Sequence, residues 1–200
     1  VEGVPVSYQK NNENRTFTVR LINFEEPLLN DFKVINQYTI IEYKNKRPDI
    51  LVFINGIPMI LFELKNMGKD NTTVEQAYMQ VKNYQLDIPS LFQYNAFNVI
   101  SDGIDTRVGT ITSDFTRYMA WKSEEGEKPA ENMTDFFTVA LNGMFPKERL
   151  LDLIRNYIVF QSIQGKTVKI LAGYHQYFAV QKAVESTKNA LRDKSRKVGV

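Results

Sequence analysis

The stretch over residues 47–66, RPDILVFINGIPMILFELKN, predicts two short strands joined by a turn. Apolar residues fill Ile50–Ile54 and again Ile57–Leu64, and continuous apolar runs of this length are typical of strands that are buried on both faces. Asn55-Gly56, between the two runs, is a dipeptide that favours tight hairpin turns. We therefore expect a buried β-hairpin at the centre of the fold.

Charged residues stand at the open end of this predicted hairpin. Asp49 precedes the first strand, whereas Glu63 and Lys65 close the second. Side chains alternate along a strand, so Glu63 and Lys65 point to the same face, and the start of one hairpin strand lies beside the end of the other. Mg²⁺ binds carboxylate oxygens, and a neighbouring lysine can orient a water or stabilise negative charge. The residues indicate a hydrolytic Mg²⁺ site or, alternatively, a salt bridge at a strand end.

A helix is predicted directly after the hairpin. Thr72 or Thr73 can cap it, and it runs to about Gln85. Apolar residues recur at helical spacing and predict its buried face. These residues are Val74, Ala77, Val81 and Tyr84. Gln80 and Tyr84 lie one turn apart along one edge of the helix. This edge either has a function or is simply the solvent-exposed side of an amphipathic helix.

The order Pro48-Asp49, thirteen residues, then Glu63-Leu64-Lys65 resembles the PD-(D/E)XK nuclease motif. The resemblance implies that Asp49, Glu63 and the backbone carbonyl of Leu64 hold Mg²⁺ at the scissile phosphate. It implies further that Lys65 positions the attacking water or stabilises charge on the phosphate oxygens.

Gln80-x-x-x-Tyr84 resembles the QxxxY element that accompanies this motif in a subset of such nucleases. The resemblance implies that Gln80 and Tyr84 line the active site or contact DNA. Members of the fold often use an additional acidic residue from a helix before the first core strand, and none is assigned here. Glu2, Glu13, Glu25 and Glu26 are all possible candidates for it.

Longer stretches resemble the restriction (motor) subunit of type I restriction–modification endonucleases, in the family's order between about residues 47 and 187. They are RPDILVFINGIPMILFELKN, VEQAYMQVKNYQ, IPSLFQYNAFNVISDGIDTRVGTIT, FPKERLLDLIRNYIVF and KILAGYHQYFAVQKAVEST. The resemblance implies a Mg²⁺-dependent endonuclease domain that cuts DNA without sequence specificity after ATP-driven translocation by the full complex. Its implied partners are DNA and the modification and specificity subunits. A stand-alone repair or recombination nuclease and a non-catalytic DNA-binding module on the same fold are the alternatives.

The implied fold class is α/β, with a PD-(D/E)XK restriction-endonuclease-like core whose mixed central sheet is flanked by helices. We expect the core in residues 1–122, a helical extension or linker in 123–165, and the start of a helicase-like motor in 166–200. Gln176 corresponds by resemblance to an adenine-contacting glutamine. The chain contains no G-x-x-x-x-G-K-[ST] loop, so we expect ATP to bind only in the full-length subunit. The chain begins at Val1 rather than Met, which indicates part of a longer protein.

Local patterns predict the remaining elements. Residues 1–13 read as irregular, and the predicted αβββαβ core lacks a recognisable first helix. Strands are expected over 15–24, 32–43 with a bulge near Asn36, 95–101 and 107–112, the last at a sheet edge. Helices are expected over 135–142, 146–157 and 174–191, with an extended segment over 167–171.

Composition restricts the possible sites. The chain has no cysteine and one histidine, His175, which excludes disulfides, thiolate sites and multi-histidine zinc sites and favours an oxygen-ligated metal. The lack of cysteine also suits a reducing cytoplasm, and the resemblance implies the cytoplasm of a bacterium or archaeon. No apolar run reaches the roughly 18 residues of a membrane span. The net charge of +2 is too small to give the protein a strong overall electrostatic field. The basic cluster at Lys44, Lys46 and Arg47 is the best local candidate for DNA contact.

Overall fold

The computed structural model describes residues 3–66 and 73–192. Its strands are β1 (Val4–Lys10), β2 (Glu13–Val19), β3 (Phe32–Asn36), β4 (Ile40–Ile41), β5 (Asn45–Lys46), β6 (Ile50–Ile54), β7 (Ile57–Leu64), β8 (Phe97–Ser101), β9 (Thr106–Gly109), β10 (Ile158–Ile163) and β11 (Lys166–Leu171). Its α-helices are α1 (Val74–Asp87), α2 (Phe136–Met144), α3 (Lys147–Asn156) and α4 (Tyr174–Arg192). Glu2 and Thr72, one of the two predicted caps, lie outside the described residues.

A five-stranded mixed sheet in the order β3-β6-β7-β8-β9 forms the centre of the molecule. Three neighbouring pairs are antiparallel, and β7 and β8 run parallel. Parallel neighbours need a crossover connection, and here it contains α1. The chain is therefore an α/β protein, as predicted, and β9 is an edge strand, as predicted.

The β6–β7 hairpin has the predicted bounds and the predicted turn. Asn55 and Gly56 have φ of 51° and 80°, the left-handed values that a two-residue hairpin turn of type I′ requires. The register shifts by one residue beyond Val52, so a bulge lies in this hairpin rather than near Asn36. Below the bulge, Ile50 pairs with Phe62 in a regular ladder that leads to the open end of the hairpin.

Alternation along the strands divides the core between the two faces of the sheet. One face packs against α1, and the buried residues of this layer include Leu51, Leu61, Ile100, Val74, Ala77, Val81 and Tyr84. The opposite face packs against α2, α3 and α4, and its buried residues include Val52, Ile54, Ile60, Phe62, Phe97, Val99, Met144, Leu150, Leu153, Tyr177 and Phe178. Leu51 and Leu61 face α1, and alternation along the regular part of the ladder, on the open-end side of the bulge, places Asp49 and Glu63 on the same side.

Helix α1 confirms the predicted buried face and corrects the predicted cap. Thr73 occupies the N-cap position, but its side chain makes no capping hydrogen bond. Asp102 replaces it, because its Oδ2 accepts a hydrogen bond from the backbone N–H of Val74 at 3.0 Å. A carboxylate at a helix N-terminus also complements the helix dipole.

Three local predictions are wrong. Residues 1–13 are predicted to be irregular, but residues 4–10 form β1, which pairs with β2 in an exposed two-stranded ribbon. The strand predicted over 32–43 ends at Asn36 because Gln37, with φ 54°, turns the chain. Strand β10 lies in a region predicted to be helical or linker, and its mostly exposed side chains give no burial pattern to read. Among the described residues no α-helix precedes β3, in agreement with the prediction.

The C-terminal segment is attached to the sheet edge. Lys169 of β11 donates its backbone N–H to Thr112 Oγ1 at 2.8 Å, and its carbonyl accepts from Thr110 Oγ1 at 2.6 Å. Burial lowers the pKa of Lys169 to about 8. The β10–β11 hairpin spans the predicted boundary at residue 165, so the division into core, extension and motor start stays a prediction. None of the helices in the described ranges is long and apolar enough to cross a bilayer.

Candidate active site

Glu63 and Lys65 share one face at the end of β7, as predicted. The Lys65 Nζ lies 2.7 Å from Glu63 Oε1, and the Glu63 side chain is only 4% exposed. The β6–β7 pairing sets Leu51 against Leu61 and Ile50 against Phe62. Continuing this register by one residue sets Asp49 opposite Glu63. The hairpin therefore brings the three charged residues together at one end of the sheet.

The Asp49 carboxylate is fixed at both oxygens. Its Oδ2 accepts the backbone N–H of Leu64 at 2.8 Å, and its Oδ1 accepts Gln37 Nε2 at 3.0 Å. The bond to Leu64 ties the beginning of β6 to the end of β7, directly beside Glu63. Each oxygen retains a further lone pair, because an ionised carboxylate offers about four acceptor positions.

Helix α1 closes the site from above the sheet. Tyr84 is 4% exposed and packs in the same core cluster as Leu51 and Leu61. Burial raises the pKa of its hydroxyl, the charge of Glu63 raises it further, and a hydrogen bond with Gln80 works in the opposite direction. The structure thus places Gln80 and Tyr84 near Asp49 and Glu63, the carboxylates of the predicted site.

Burial raises the pKa of the Glu63 carboxyl, and the nearby charge of Asp49 adds to this, while the Lys65 ammonium opposes it. Oxygen Oε2 of Glu63 is buried and accepts no hydrogen bond of 3.5 Å or less from the described residues, although the Tyr84 hydroxyl lies near enough to the carboxyl to lower its pKa slightly. A buried carboxylate oxygen without a partner is unfavourable unless a cation or donor meets it.

The donor set fits Mg²⁺. No group of three or more His, Cys, Asp and Glu side chains suited to a metal occurs within residues 3–66 and 73–192. Mg²⁺, however, is commonly bound through one or two carboxylates and completes its shell with water and phosphate. Asp49 and Glu63 supply two carboxylates, one of them with an unpartnered oxygen, and the Leu64 carbonyl lies between Glu63 and Lys65 in the chain.

The basic cluster before the hairpin is largely neutralised. Lys44 and Lys46 lie 2.8 and 3.0 Å from the two oxygens of Asp87, and these contacts lower the pKa of Asp87. Arg47 forms no ion pair with any described residue; its Nε donates to the Gln37 carbonyl at 3.2 Å. Of the three predicted cations, Arg47 alone carries a charge that no carboxylate of the described segments offsets.

Gln37 is a site residue that sequence reasoning missed, since it falls inside a predicted strand and belongs to no motif. Gln176 is not part of this site. It lies in the first turn of α4, on the opposite face of the sheet from α1, where its Oε1 accepts the backbone N–H of Gly173 at 2.9 Å.

Comparison with known proteins gives a consistent result. Residues 1–117 match the family model described as type I restriction enzyme R protein N terminus. The chain is 40% identical over its whole length to the type I restriction enzyme HindI endonuclease subunit of Haemophilus influenzae. It is 34% identical, over 94% of its length, to the putative type I restriction enzyme MjaIXP endonuclease subunit of Methanocaldococcus jannaschii.

A third relative is the type I restriction enzyme EcoprrI endonuclease subunit of Escherichia coli, which is 29% identical over 76% of this chain and is covered over 49% of its own length. The chain spans only 19% of the Haemophilus protein and 19% of the Methanocaldococcus protein. Because the family model covers more than half of the chain, the chain belongs to the type I restriction enzyme R protein family and corresponds to its N-terminal region.

Proposed function

We propose that this chain is the Mg²⁺-dependent DNA endonuclease domain of a type I restriction R protein, built on a PD-(D/E)XK core. The observation that carries the proposal is the convergence of Asp49, Glu63 and Lys65 beneath α1, with Glu63 Oε2 buried and unpartnered. The mixed sheet with α1 between the parallel strands supports the fold assignment, and the names of the relatives support a nuclease.

Asp49 and Glu63 would hold the Mg²⁺, with the Leu64 carbonyl as a further ligand. When bound, the ion would supply positive charge at the scissile phosphate and acidify a water. The protein residues fix where this happens. Asp49 is immobilised by its two hydrogen bonds, and Glu63 is held by Lys65 on one oxygen and left free on the other.

Lys65 would act on the attacking water or on the phosphate oxygens. Its ammonium has three N–H donors, and Glu63 takes one of them. The other two donors meet no acceptor among the described residues, and they would orient a water for attack or stabilise the charge that develops in the transition state. Tyr84 would support the site by confining Glu63, and Gln80, which forms a hydrogen bond with Tyr84, would hold its hydroxyl in place or contact DNA.

DNA would be held through its backbone rather than read. Arg47 is two residues from Asp49 and unpaired with any described carboxylate, so it is suited to a phosphate next to the cleaved bond. Cleavage would thus be non-specific in sequence. The longer protein would translocate DNA with ATP, with Gln176 contacting adenine, and would assemble in the cytoplasm with modification and specificity subunits. Relatives named as endonuclease subunits favour this assignment over a stand-alone repair nuclease.

The test is plasmid cleavage by the full-length protein assembled with its partner subunits. Glu63→Gln and Lys65→Met should each reduce cleavage by at least about a hundredfold while ATP hydrolysis persists. Lys33→Met is the matched control, because it breaks an exposed lysine–aspartate pair of 2.6 Å at the start of β3, which pairs with the turn end of the hairpin. Full cleavage by either site variant would refute the proposal and favour a non-catalytic DNA-binding module.

A further inference from the structure

Gln37 turns the chain at the end of β3. Its φ of 54° lies in the left-handed region, which residues with a Cβ rarely occupy and which glycine and asparagine adopt more easily. Such a conformation persists only where surrounding contacts compensate for it, and residues of this kind cluster at functional sites. The contacts made by Gln37 therefore indicate its role.

All three described hydrogen bonds of Gln37 at this turn involve the residues that open β6. Its backbone N–H donates to the Asp49 carbonyl at 2.8 Å, and its side-chain Nε2 donates to Asp49 Oδ1 at 3.0 Å. Its own carbonyl accepts Arg47 Nε at 3.2 Å. One residue thus binds both the main chain and the carboxylate of Asp49, and also fixes the guanidinium of Arg47.

The hydrogen bonds at Asp49 together determine the orientation of its carboxylate. The Leu64 N–H alone would hold one carboxylate oxygen and leave the group free to rotate about its terminal bond. The amide of Gln37 holds the second oxygen and so sets the plane of the carboxylate. Hydrogen bonds of this kind orient metal-ligating carboxylates, and their loss commonly reduces metal affinity or activity by 10- to 100-fold.

We propose that Gln37 is a positioning residue of the active site, which holds the Asp49 carboxylate in the orientation that receives the metal and holds Arg47 beside it for a DNA phosphate. The inference rests on the proposed function, because it takes Asp49 to be a metal ligand. A purely structural role in the turn would be met as well by glycine, which reaches the same φ at lower cost.

The chain contains a matched control for this distinction. Gln164, at the tip of the β10–β11 hairpin, has φ of 50°, and the structure records no hydrogen bond from its side chain within the described ranges. Gln37→Gly and Gln164→Gly therefore relieve the same backbone conformation, and only the first removes a contact with Asp49.

The experiment is calorimetric titration of Mn²⁺ into the 200-residue chain, with thermal melting in EDTA as the metal-free readout. We expect Gln37→Gly to melt close to the unmodified protein and to bind Mn²⁺ about 10- to 100-fold more weakly. Gln164→Gly should bind Mn²⁺ normally. Gln37→Asn, which tolerates left-handed φ but is one methylene too short to reach Oδ1, should match Gln37→Gly.

Asp49→Asn separates the failure of this inference from the failure of the proposed function. If Asp49→Asn binds Mn²⁺ normally, the proposed metal site itself is wrong. If Asp49→Asn loses Mn²⁺ binding while Gln37→Gly and Gln37→Asn retain it, only the role of Gln37 is wrong. Unfolding of both Gln37 variants in EDTA would make Gln37 a structural residue and would also overturn the inference.

Discussion

Glu63 combines a negative charge with deep burial, and this makes the stability of the metal-free protein depend on pH. Burial and the charge of Asp49 raise the pKa of Glu63 above its ordinary value of 4.5. A raised carboxyl pKa means that the folded state favours the protonated form. The corresponding stabilisation is fully present below the unfolded pKa and is lost as the pH rises through the folded pKa.

Glu63→Gln should therefore gain stability relative to the unmodified protein as the pH rises, since glutamine does not ionise. The measurement is urea unfolding in EDTA at several pH values between about 4 and 8. We expect the difference in the free energy of unfolding to grow with pH and then level off. A difference that is constant or that shrinks with rising pH would show that Glu63 is not disfavoured as an anion in the fold.

Asp49 differs from Glu63 because its carboxylate supports the backbone. Charge repulsion alone predicts that Asp49→Ala leaves the metal-free stability unchanged or up to ~1 kcal/mol higher. The structure adds that Asp49 Oδ2 accepts the Leu64 N–H, and loss of a partner to a part-buried donor costs about 1–3 kcal/mol.

We therefore expect Asp49→Ala to destabilise the metal-free protein by about 1–2 kcal/mol, whereas Asp49→Asn, which keeps an acceptor oxygen, stays within about 1 kcal/mol. Thermal melting in EDTA tests both variants. Equal stability of Asp49→Ala and the unmodified protein would mean that the Leu64 bond contributes nothing, and charge repulsion would then be the dominant effect.

The charged residues of the site could be predicted because strand alternation and hairpin register follow from sequence spacing. Asp49, Glu63 and Lys65 needed only the apolar runs and the Asn55-Gly56 turn to be placed together. Gln37 could not be predicted in the same way. Its role depends on a contact with a residue twelve positions away and on a backbone conformation that no sequence pattern marks.

At the scale of elements, α1 is fixed to the sheet through Tyr84. The ring is 4% exposed and packs with Leu51 and Leu61, in agreement with the predicted buried face of the helix. Truncation of a buried aromatic residue to alanine costs about 3–5 kcal/mol. We expect Tyr84→Ala to destabilise the protein by about this amount.

Tyr84→Phe is the matched variant, since it keeps the ring and removes only the hydroxyl beside Glu63. It should change the free energy of unfolding by about 1 kcal/mol or less and still reduce cleavage, which would separate packing from support of the site. Urea unfolding together with plasmid cleavage measures both effects. Normal cleavage by Tyr84→Phe would limit Tyr84 to a packing role.

Elements with one buried face or two could be predicted, and elements without burial could not. The β6–β7 hairpin and α1 each carry apolar residues at the period of their structure, so their positions follow from sequence. Strand β1 is exposed along its whole length, and most of β10 is exposed. Their side chains show no alternation between buried and exposed positions. These strands are recognised only by their hydrogen-bonded pairing with the next strand.

At the scale of the whole molecule, the weak net charge makes individual cations decisive for DNA binding. Arg47 is unpaired with any described carboxylate, whereas Lys44 and Lys46 are held by Asp87. Arg47→Ala should weaken binding to unrelated duplexes by a similar factor and should reduce the slope of log affinity against log salt by about one.

Fluorescence anisotropy with two unrelated duplexes at several salt concentrations tests this prediction. Lys166→Ala, at an exposed position of the β10–β11 hairpin, is the control and should leave the slope unchanged. A loss of affinity for one duplex only would indicate base recognition by Arg47. An unchanged slope would exclude a phosphate contact there.

The division of the molecule into domains is the part that sequence spacing predicts least well. The segment expected to begin a motor is joined to the sheet edge through Lys169, and β10 and β11 pair across the expected boundary. These bonds join residues more than fifty positions apart. Local periodicity carries no information about such contacts, so it could not place a domain boundary here.

The central claim is that Asp49 and Glu63 bind one divalent cation. It is tested most directly by anomalous diffraction from crystals of the chain soaked in Mn²⁺. We expect one anomalous peak roughly 2.0–2.3 Å from a carboxylate oxygen of Asp49 and of Glu63, and no such peak in Glu63→Gln crystals. Soaked crystals without a peak between these carboxylates, or a peak that persists in Glu63→Gln, would contradict the account.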